Sequence, residues 1–209
     1  MSGFALTVDR LTLAHMDETP DRELMRQYGK GSEKAFEQLY ARHKGPLYRF
    51  LKQRCFDAET ADEIFQEVWT KVIRARTRYE PTARFTTWLY QLARNAWVDH
   101  VRHVNRRIRL VSDSDDDNSI ANTAVSGHAG PVEQLAGDQL AQNFARALAQ
   151  LPGEQQEAFL LHQEAGLTLP QIADVTDVGR ETVKSRLRYA VRKLRESLSD
   201  DNKSAGVSA

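Results

Sequence analysis

Apolar residues recur at helical spacing along most of the chain, and no alternating apolar/polar run bounded by turn residues suggests a strand. A helical reading begins near Asp21. Ser32 is placed to cap a helix that carries Phe36, Leu39, Tyr40, Leu47, Phe50 and Leu51 on one face. Gly45-Pro46 falls inside it and predicts a kink or a short break. The cleanest period lies in DAETADEIFQEVWTKVIRA, where Ala61, Ile64, Phe65, Val68, Trp69, Val72 and Ile73 form one stripe. Asp57 or Thr60 caps its start, and the early acids suit the positive end of the helix dipole. After a turn at Tyr79-Glu80-Pro81, the positions of Phe85, Trp88, Leu89, Leu92, Ala93 and Ala96 predict a helix to about Arg107.

The pattern then stops. VSDSDDDNSIANTAVSGHAG, from Val111, is small, polar and acidic and cannot bury enough surface to offset its ordering entropy, so it reads as a flexible linker. Periodicity resumes after Pro131, which suits the first position of a helix, with Leu135, Leu140, Phe144, Ala147, Leu148 and Leu151 on its buried side. Pro152 opens PGEQQEAFLLHQE, which Gly166 ends. Thr168 and Gln171 make a capping box for TLPQIADVT, and Asp177-Val178-Gly179 turns into a last, basic helix. These elements predict an all-α protein of two small helical domains joined by a flexible acidic linker. The expected boundaries are a leader 1–20, a first domain 21–109, a linker 110–130, a second domain 131–198 and a disordered tail 199–209.

Composition sharpens this picture little: 41% hydrophobic and 28% charged residues suit thin helical cores. Charge sharpens it more. Lys+Arg and Asp+Glu both number 29, yet the signs are segregated. Asp57 to Glu67 holds five acids and no base, Arg74 to Arg109 nine arginines and two acids, and Val111 to Asp138 six acids and no Lys or Arg. The sixteen positions Arg180 to Arg195 then hold seven bases and one acid. Blocks of this kind suggest separate partners for separate segments.

The final elements fit together as a helix-turn-helix. Ile172 and Ala173 on a short helix face Val183 and Leu187 on a longer one, and small Ala173 allows a close crossing. The second helix suits the DNA major groove. Thr182, Lys184, Ser185 and Arg188 are candidate base readers, with Arg180 beside them, while Arg186, Arg192, Lys193 and Arg195 suit phosphates. Asp177 occupies a turn position that usually holds Gly, and Gly179 is expected to take the left-handed conformation in its place. The competing reading is a solvated, salt-bridged surface helix.

Upstream, Arg74, Arg76, Arg78, Arg84, Arg94, Arg102, Arg106 and Arg107 supply positive charge, and Tyr79, Phe85, Trp88, Tyr90 and Trp97 supply rings. A groove that holds opened strands needs both. Phe85 and Trp88 lie on the apolar stripe and read as core.

LPGEQQEAFLLHQEAGLTLPQIADVTDVGRETVKSRLRYAVRKLRESL resembles the C-terminal domain of extracytoplasmic-function (ECF) sigma factors of the sigma-70 family. DRELMRQYGKGSEKAFEQLYARHKGPLYRFLKQR, DAETADEIFQEVWTKVIRA and FTTWLYQLARNAWVDHVRHVNRR resemble that family's first helices, polymerase-binding helix and promoter-melting segment, in the same order. The resemblance implies a region 2 type bundle followed by a region 4 type helix-turn-helix. It implies that Asp62, Glu63, Gln66, Glu67, Val68 and Lys71 meet a coiled coil on the largest subunit of core RNA polymerase. It assigns Arg78, Tyr79, Arg84, Tyr90, Arg94, Asn95, Arg102 and Arg106 to the −10 element and its melting. Arg180, Thr182, Lys184, Ser185, Arg186, Arg188 and Arg192 would meet the −35 element. It further implies the flap of the second polymerase subunit and an anti-sigma factor as partners. The linker would either thread toward the RNA exit path or serve as an inert tether.

Other chemistry is set aside. Asp113 to Asp117 looks like the start of a calcium loop, but Asn118 and Ala124 stand where Gly and Glu are needed. Asp99, His100 and His103 have no third ligand helix, and Cys55 has no partner thiol. No phosphate-cradling Gly loop or nucleophile elbow occurs, so no enzyme, metal or cofactor is expected. A single cysteine and a start without signal-peptide character predict a cytoplasmic protein without membrane insertion. The second reading is a free-standing helix-turn-helix regulator whose N-terminal bundle binds another protein.

Overall fold

In the computed structural model, the described residues are 19–55, 57–80, 82–111 and 138–205. The expectations for the leader before residue 19, for the acidic stretch 112–137 with Pro131 and Leu135, and for the last four residues lie outside them.

Every regular element among the described residues is a helix: α1 (Asp21–Gly29), α2 (Glu33–Arg54), α3 (Ala58–Ala75), α4 (Phe85–Val111), α5 (Asp138–Ala149), α6 (Gly153–Gln163), α7 (Leu169–Thr176) and α8 (Arg180–Ala205). The first half packs α1 on α2, α2 on α3, and α3 on α4. Its core joins Leu24 and Met25 to Leu39, Leu47, Phe50 and Leu51, then to Ile64, Val68 and Val72, and to Phe85, Leu89 and Ala93. The Trp69 ring meets Phe36 edge-on at 5.9 Å between centroids. The second half wraps α5, α6 and α7 against α8, burying Leu148, Leu160, Leu161 and Ile172 around Val183, Ala190 and Leu194.

Local chemistry sets the helix ends. The Asp57 carboxylate accepts from the Thr60 amide at 2.7 Å and starts α3. The Gln171 side-chain oxygen accepts from the Thr168 N–H at 2.9 Å and from its hydroxyl at 2.8 Å, starting α7. Gly29 ends α1 where a Cβ would lie 2.5 Å from the Arg76 carbonyl oxygen, so only glycine allows α1 this close to the end of α3.

Several sequence expectations change. α2 runs unbroken through Gly45-Pro46. An internal proline costs about 3 kcal/mol, but Leu47, Phe50 and Leu51, all buried, return about 1.5–3 kcal/mol each only if the helix continues. In the turn after α7, Asp177 itself takes the left-handed conformation (φ 56°, ψ 46°), and Gly179 does not. Short polar side chains tolerate that region better than most. Ile73, placed on the α3 stripe by spacing, lies near the end of α3 and is 40% exposed. The stretch 199–205, expected to be disordered, continues α8.

The two halves also touch. α7 packs on α4 and α6 reaches α2. The charge blocks suggested segments with separate partners, yet here the halves form a common seam.

Candidate polymerase and nucleic-acid interfaces

The amphipathic stripe of α3 turns Val68 inward, to 0% exposure, and leaves Asp62, Glu63, Gln66 and Glu67 on the outer face with Lys71 half-exposed. Lys71 pairs with Glu67 one turn earlier at 2.6 Å. Asp62 accepts from the Tyr48 hydroxyl, which holds the tyrosine pKa above its ordinary value. The face is acidic and polar. Val68 does not lie on it: the same period that exposes Gln66 and Glu67 puts Val68 in the core.

The arginine-rich face divides in two. Arg78 and Arg84 flank the turn before α4, and Asn95, Arg102 and Arg106 stand exposed along α4. Arg102 lies 3.7 Å from Asp99. Tyr79 is only half-exposed, its ring 4.9 Å from Trp88 and 6.3 Å from Phe85. Burial and nearby Asp21 push its hydroxyl pKa up. Tyr90 does not reach this surface. It is 1% exposed, its ring edge-on to Phe50 at 5.2 Å, and burial pushes its pKa well above the ordinary value. It follows Leu89 on the inner side of α4, so it is a core residue rather than a stacking platform.

Arg94 is the other departure. Its guanidinium turns toward the second half, where Nε lies 3.3 Å from Glu157. Arg54 shares that carboxylate at 3.6 Å, donates to the Gly153 carbonyl at 2.9 Å and to Gln156 at 3.2 Å, and lies 3.9 Å over the Trp97 ring. Burial pulls the Arg54 pKa down, and Glu157 opposes it. Gln156 donates to the Gln53 and Leu148 carbonyls, both at 3.3 Å. Nearer the surface, Arg49 meets Glu164 at 2.7 Å and Gln91 donates to the Asp174 carbonyl at 3.1 Å. Sequence reasoning missed this seam, because its partners, from Arg94 and Glu157 to Arg49 and Glu164, are 63 to 115 positions apart and no local pattern links them.

At the foot of the first bundle, Arg42 and His43 both hold Asp21, the latter at 2.8 Å. Burial would raise the Asp21 pKa, but the hydrogen bonds and charges of His43 and Arg42 outweigh it and hold the carboxyl below its ordinary value.

On α8, Val183 is fully buried and fixes the helix rotation, leaving Arg180, Thr182, Lys184, Arg188 and Arg192 exposed and Ser185 half-exposed. Lys184 rests 3.5 Å from Glu181 and Arg192 3.8 Å from Glu196, contacts that leave both charges accessible. Arg186 differs. It is half-buried and held by Glu154 of α6 at 2.5 Å, so it braces α6 against α8 as it stands. Tyr189, which sequence reasoning left out, is 38% exposed between the guanidinium groups of Arg188 and Arg192, 5.1 and 5.0 Å from its ring centre. Among the described residues no helix is long and apolar enough to cross a membrane.

Comparison with known proteins finds a match for each half of the chain. Residues 39–107 match the model of Sigma-70 region 2, and residues 147–196 that of Sigma-70, region 4. The chain is 30% identical over 176 residues to the RNA polymerase sigma factor CarQ of Myxococcus xanthus, spanning 84% of this chain and 96% of that one. It is 32% identical over 168 residues to the ECF RNA polymerase sigma factor SigL of Mycobacterium tuberculosis, spanning 78% and 88%. Its fold is similar to that of the sigma factor RpoE of Bartonella quintana, solved in complex with the anti-sigma factor NepR, with a TM-score of 0.62 and 24% identity over 79% of this chain and 98% of that one.

Proposed function

The chain belongs to the sigma-70 family of RNA polymerase sigma factors, in its extracytoplasmic-function group, and from that premise we propose how its surfaces divide the work of initiation. As a sigma factor it directs core RNA polymerase to specific promoters. We assign core binding to the acidic face of α3, through Asp62, Glu63, Gln66 and Glu67, with Lys71 at its edge. The −10 element and its opened strand fall to Arg78, Tyr79, Arg84, Asn95, Arg102 and Arg106 around the start and outer face of α4, with Arg94 joining them only if it leaves Glu157. The −35 element falls to Arg180, Thr182, Lys184, Ser185, Arg188 and Arg192 on α8, with Arg186 reaching phosphate only if it leaves Glu154. The corresponding working units are residues 21–109 and 131–198.

The observation that carries this reading is the rotation of α8. Burial of Val183, Ala190 and Leu194 turns a mainly basic face outward, directly after a tight turn. That is the geometry of a helix that lies in a major groove while flanking charges meet phosphates. A free-standing regulator would account for α7 and α8 but not for the region 2 match and the acidic α3 face.

We also propose that an anti-sigma factor binds this chain, since the similar RpoE fold was solved with one, and that the polymerase flap meets the second unit. Co-purification with core polymerase, followed by run-off transcription from a candidate promoter, tests the assignment. Core-dependent transcription is expected. Tight, specific duplex binding without core, and no association with it, would overturn it.

A further inference from the structure

Asp21 is the first residue of α1, yet that helix starts without a side-chain cap. The Asp21 carboxylate accepts instead from two neighbours on α2, Arg42 and the His43 Nε2, the latter at 2.8 Å. With its pKa held below the ordinary value, Asp21 is ionised at neutral pH. An ionised carboxylate only accepts, so Nε2 is the ring nitrogen that carries a proton here. The bond fixes the orientation of a ring that is 8% exposed and whose centre lies 5.2 Å from that of Phe85.

From Phe85 the contacts reach the turn before α4. Its ring lies 5.7 Å from Trp88 and 6.3 Å from Tyr79, and Tyr79 lies 4.9 Å from Trp88. The Tyr79 hydroxyl is buried and meets no hydrogen-bond partner among the described residues. Ring packing, rather than a side-chain hydrogen bond, therefore sets where Tyr79 stands.

We propose that Asp21 and His43 are positioning residues for capture of the opened −10 strand. Their hydrogen bond holds His43 against Phe85, and Phe85 with Trp88 holds Tyr79 where an unstacked base meets it. The proposal rests on the assignment of Tyr79 to the −10 element. A ring that receives a base works through close stacking, so the groups that lock its position matter as much as the ring. A ring ordered beforehand also loses less entropy on binding. A hydrogen bond to a charged acceptor is among the stronger polar contacts, so its loss is felt by the rings it supports.

The test uses the full chain assembled with core polymerase. One probe is a fluorescein-labelled non-template oligonucleotide spanning the −10 region of a promoter that this holoenzyme transcribes, read by anisotropy. The other is a labelled duplex of the −35 region. His43→Phe keeps a ring beside Phe85 but removes the donor to Asp21. It is expected to bind the −10 oligonucleotide about tenfold more weakly than the wild type, the scale of one hydrogen bond to a charged group, and to leave −35 duplex binding and core association unchanged. His43→Gln, which keeps an N–H donor, is expected to stay within about threefold of the wild type. A role in packing alone predicts the reverse order, with the ring variant intact and the amide variant impaired.

Wild-type binding by His43→Phe, that reversed order, or an equal loss on both probes would overturn the proposal. If circular dichroism shows that His43→Phe has not folded, Asp21→Ala removes the acceptor and carries the same expectations for both probes. Tyr79→Ala separates the proposal from the assignment beneath it. Weak −10 binding by Tyr79→Ala beside full binding by His43→Phe sinks the positioning role and keeps the assignment, whereas full binding by Tyr79→Ala sinks both.

Discussion

At Tyr90, Val68 and Asp21, a single side chain's surroundings overrule what its chemistry suggests. Tyr90 has the ring of a base-stacking residue, but its hydroxyl is buried and meets no hydrogen-bond partner among the described residues. Tyr90→Phe is therefore expected to change stability by less than about 1 kcal/mol in urea denaturation and to leave promoter opening intact. Loss of strand opening would return it to the DNA face. Cys55 is buried, and burial pushes its thiol pKa up to about 12. It should stay inert to a thiol reagent near neutral pH in the native protein and react at once in guanidinium, as a timed absorbance assay would read. Asp21, with its pKa held below the ordinary value by His43 and Arg42, stabilises the fold fully above about pH 4. That contribution is lost as the pH falls through the depressed value. Asp21→Asn should cost about 1–2 kcal/mol at neutral pH and flatten the acid limb of the stability profile.

Among the helices, two contacts decide function through position. α1 lies so close to the end of α3 that a methyl group at Gly29 would strike the Arg76 carbonyl oxygen. Gly29→Ala gains helix propensity but forces the two apart, and a net loss of about 1–3 kcal/mol is expected in thermal unfolding. An unchanged midpoint would mean the helices can separate freely. On α8, Lys184 stands exposed on the outward face, 3.5 Å from Glu181. Lys184→Ala is expected to weaken transcription from an intact −35 element about tenfold, the scale of one base contact, and to leave core association unchanged. Equal transcription from intact and scrambled −35 elements in the wild type would contradict the assignment.

Across the whole molecule, Arg54 at the seam is the sensitive point. It is 7% exposed and stacks on Trp97, sharing Glu157 with Arg94. Arg54→Ala should cost about 3 kcal/mol in denaturant unfolding, because it opens a packed site and leaves Glu157 with one cation, whereas Arg54→Met with Glu157→Leu should recover most of it. Much of this protein was legible in its residues alone. Apolar spacing marked the helices of both halves, Thr168 with Gln171 marked the start of α7, and the segregation of charge separated the α3 face from that of α8. Those features are local: a helix period, a cap or a charge run is complete within a few turns. Spacing says which side of a helix is apolar but not which neighbour covers it, so Ile73 was placed inside and Tyr90 outside, and Pro46 was expected to break a helix that packing carries through. Tertiary structure alone decided that Arg94 faces a carboxylate instead of solvent and that Arg54 is buried at all. Both depend on groups far away in the chain, 63 positions from Arg94 and 99 or more from Arg54, which only the packing of one half on the other brings within reach.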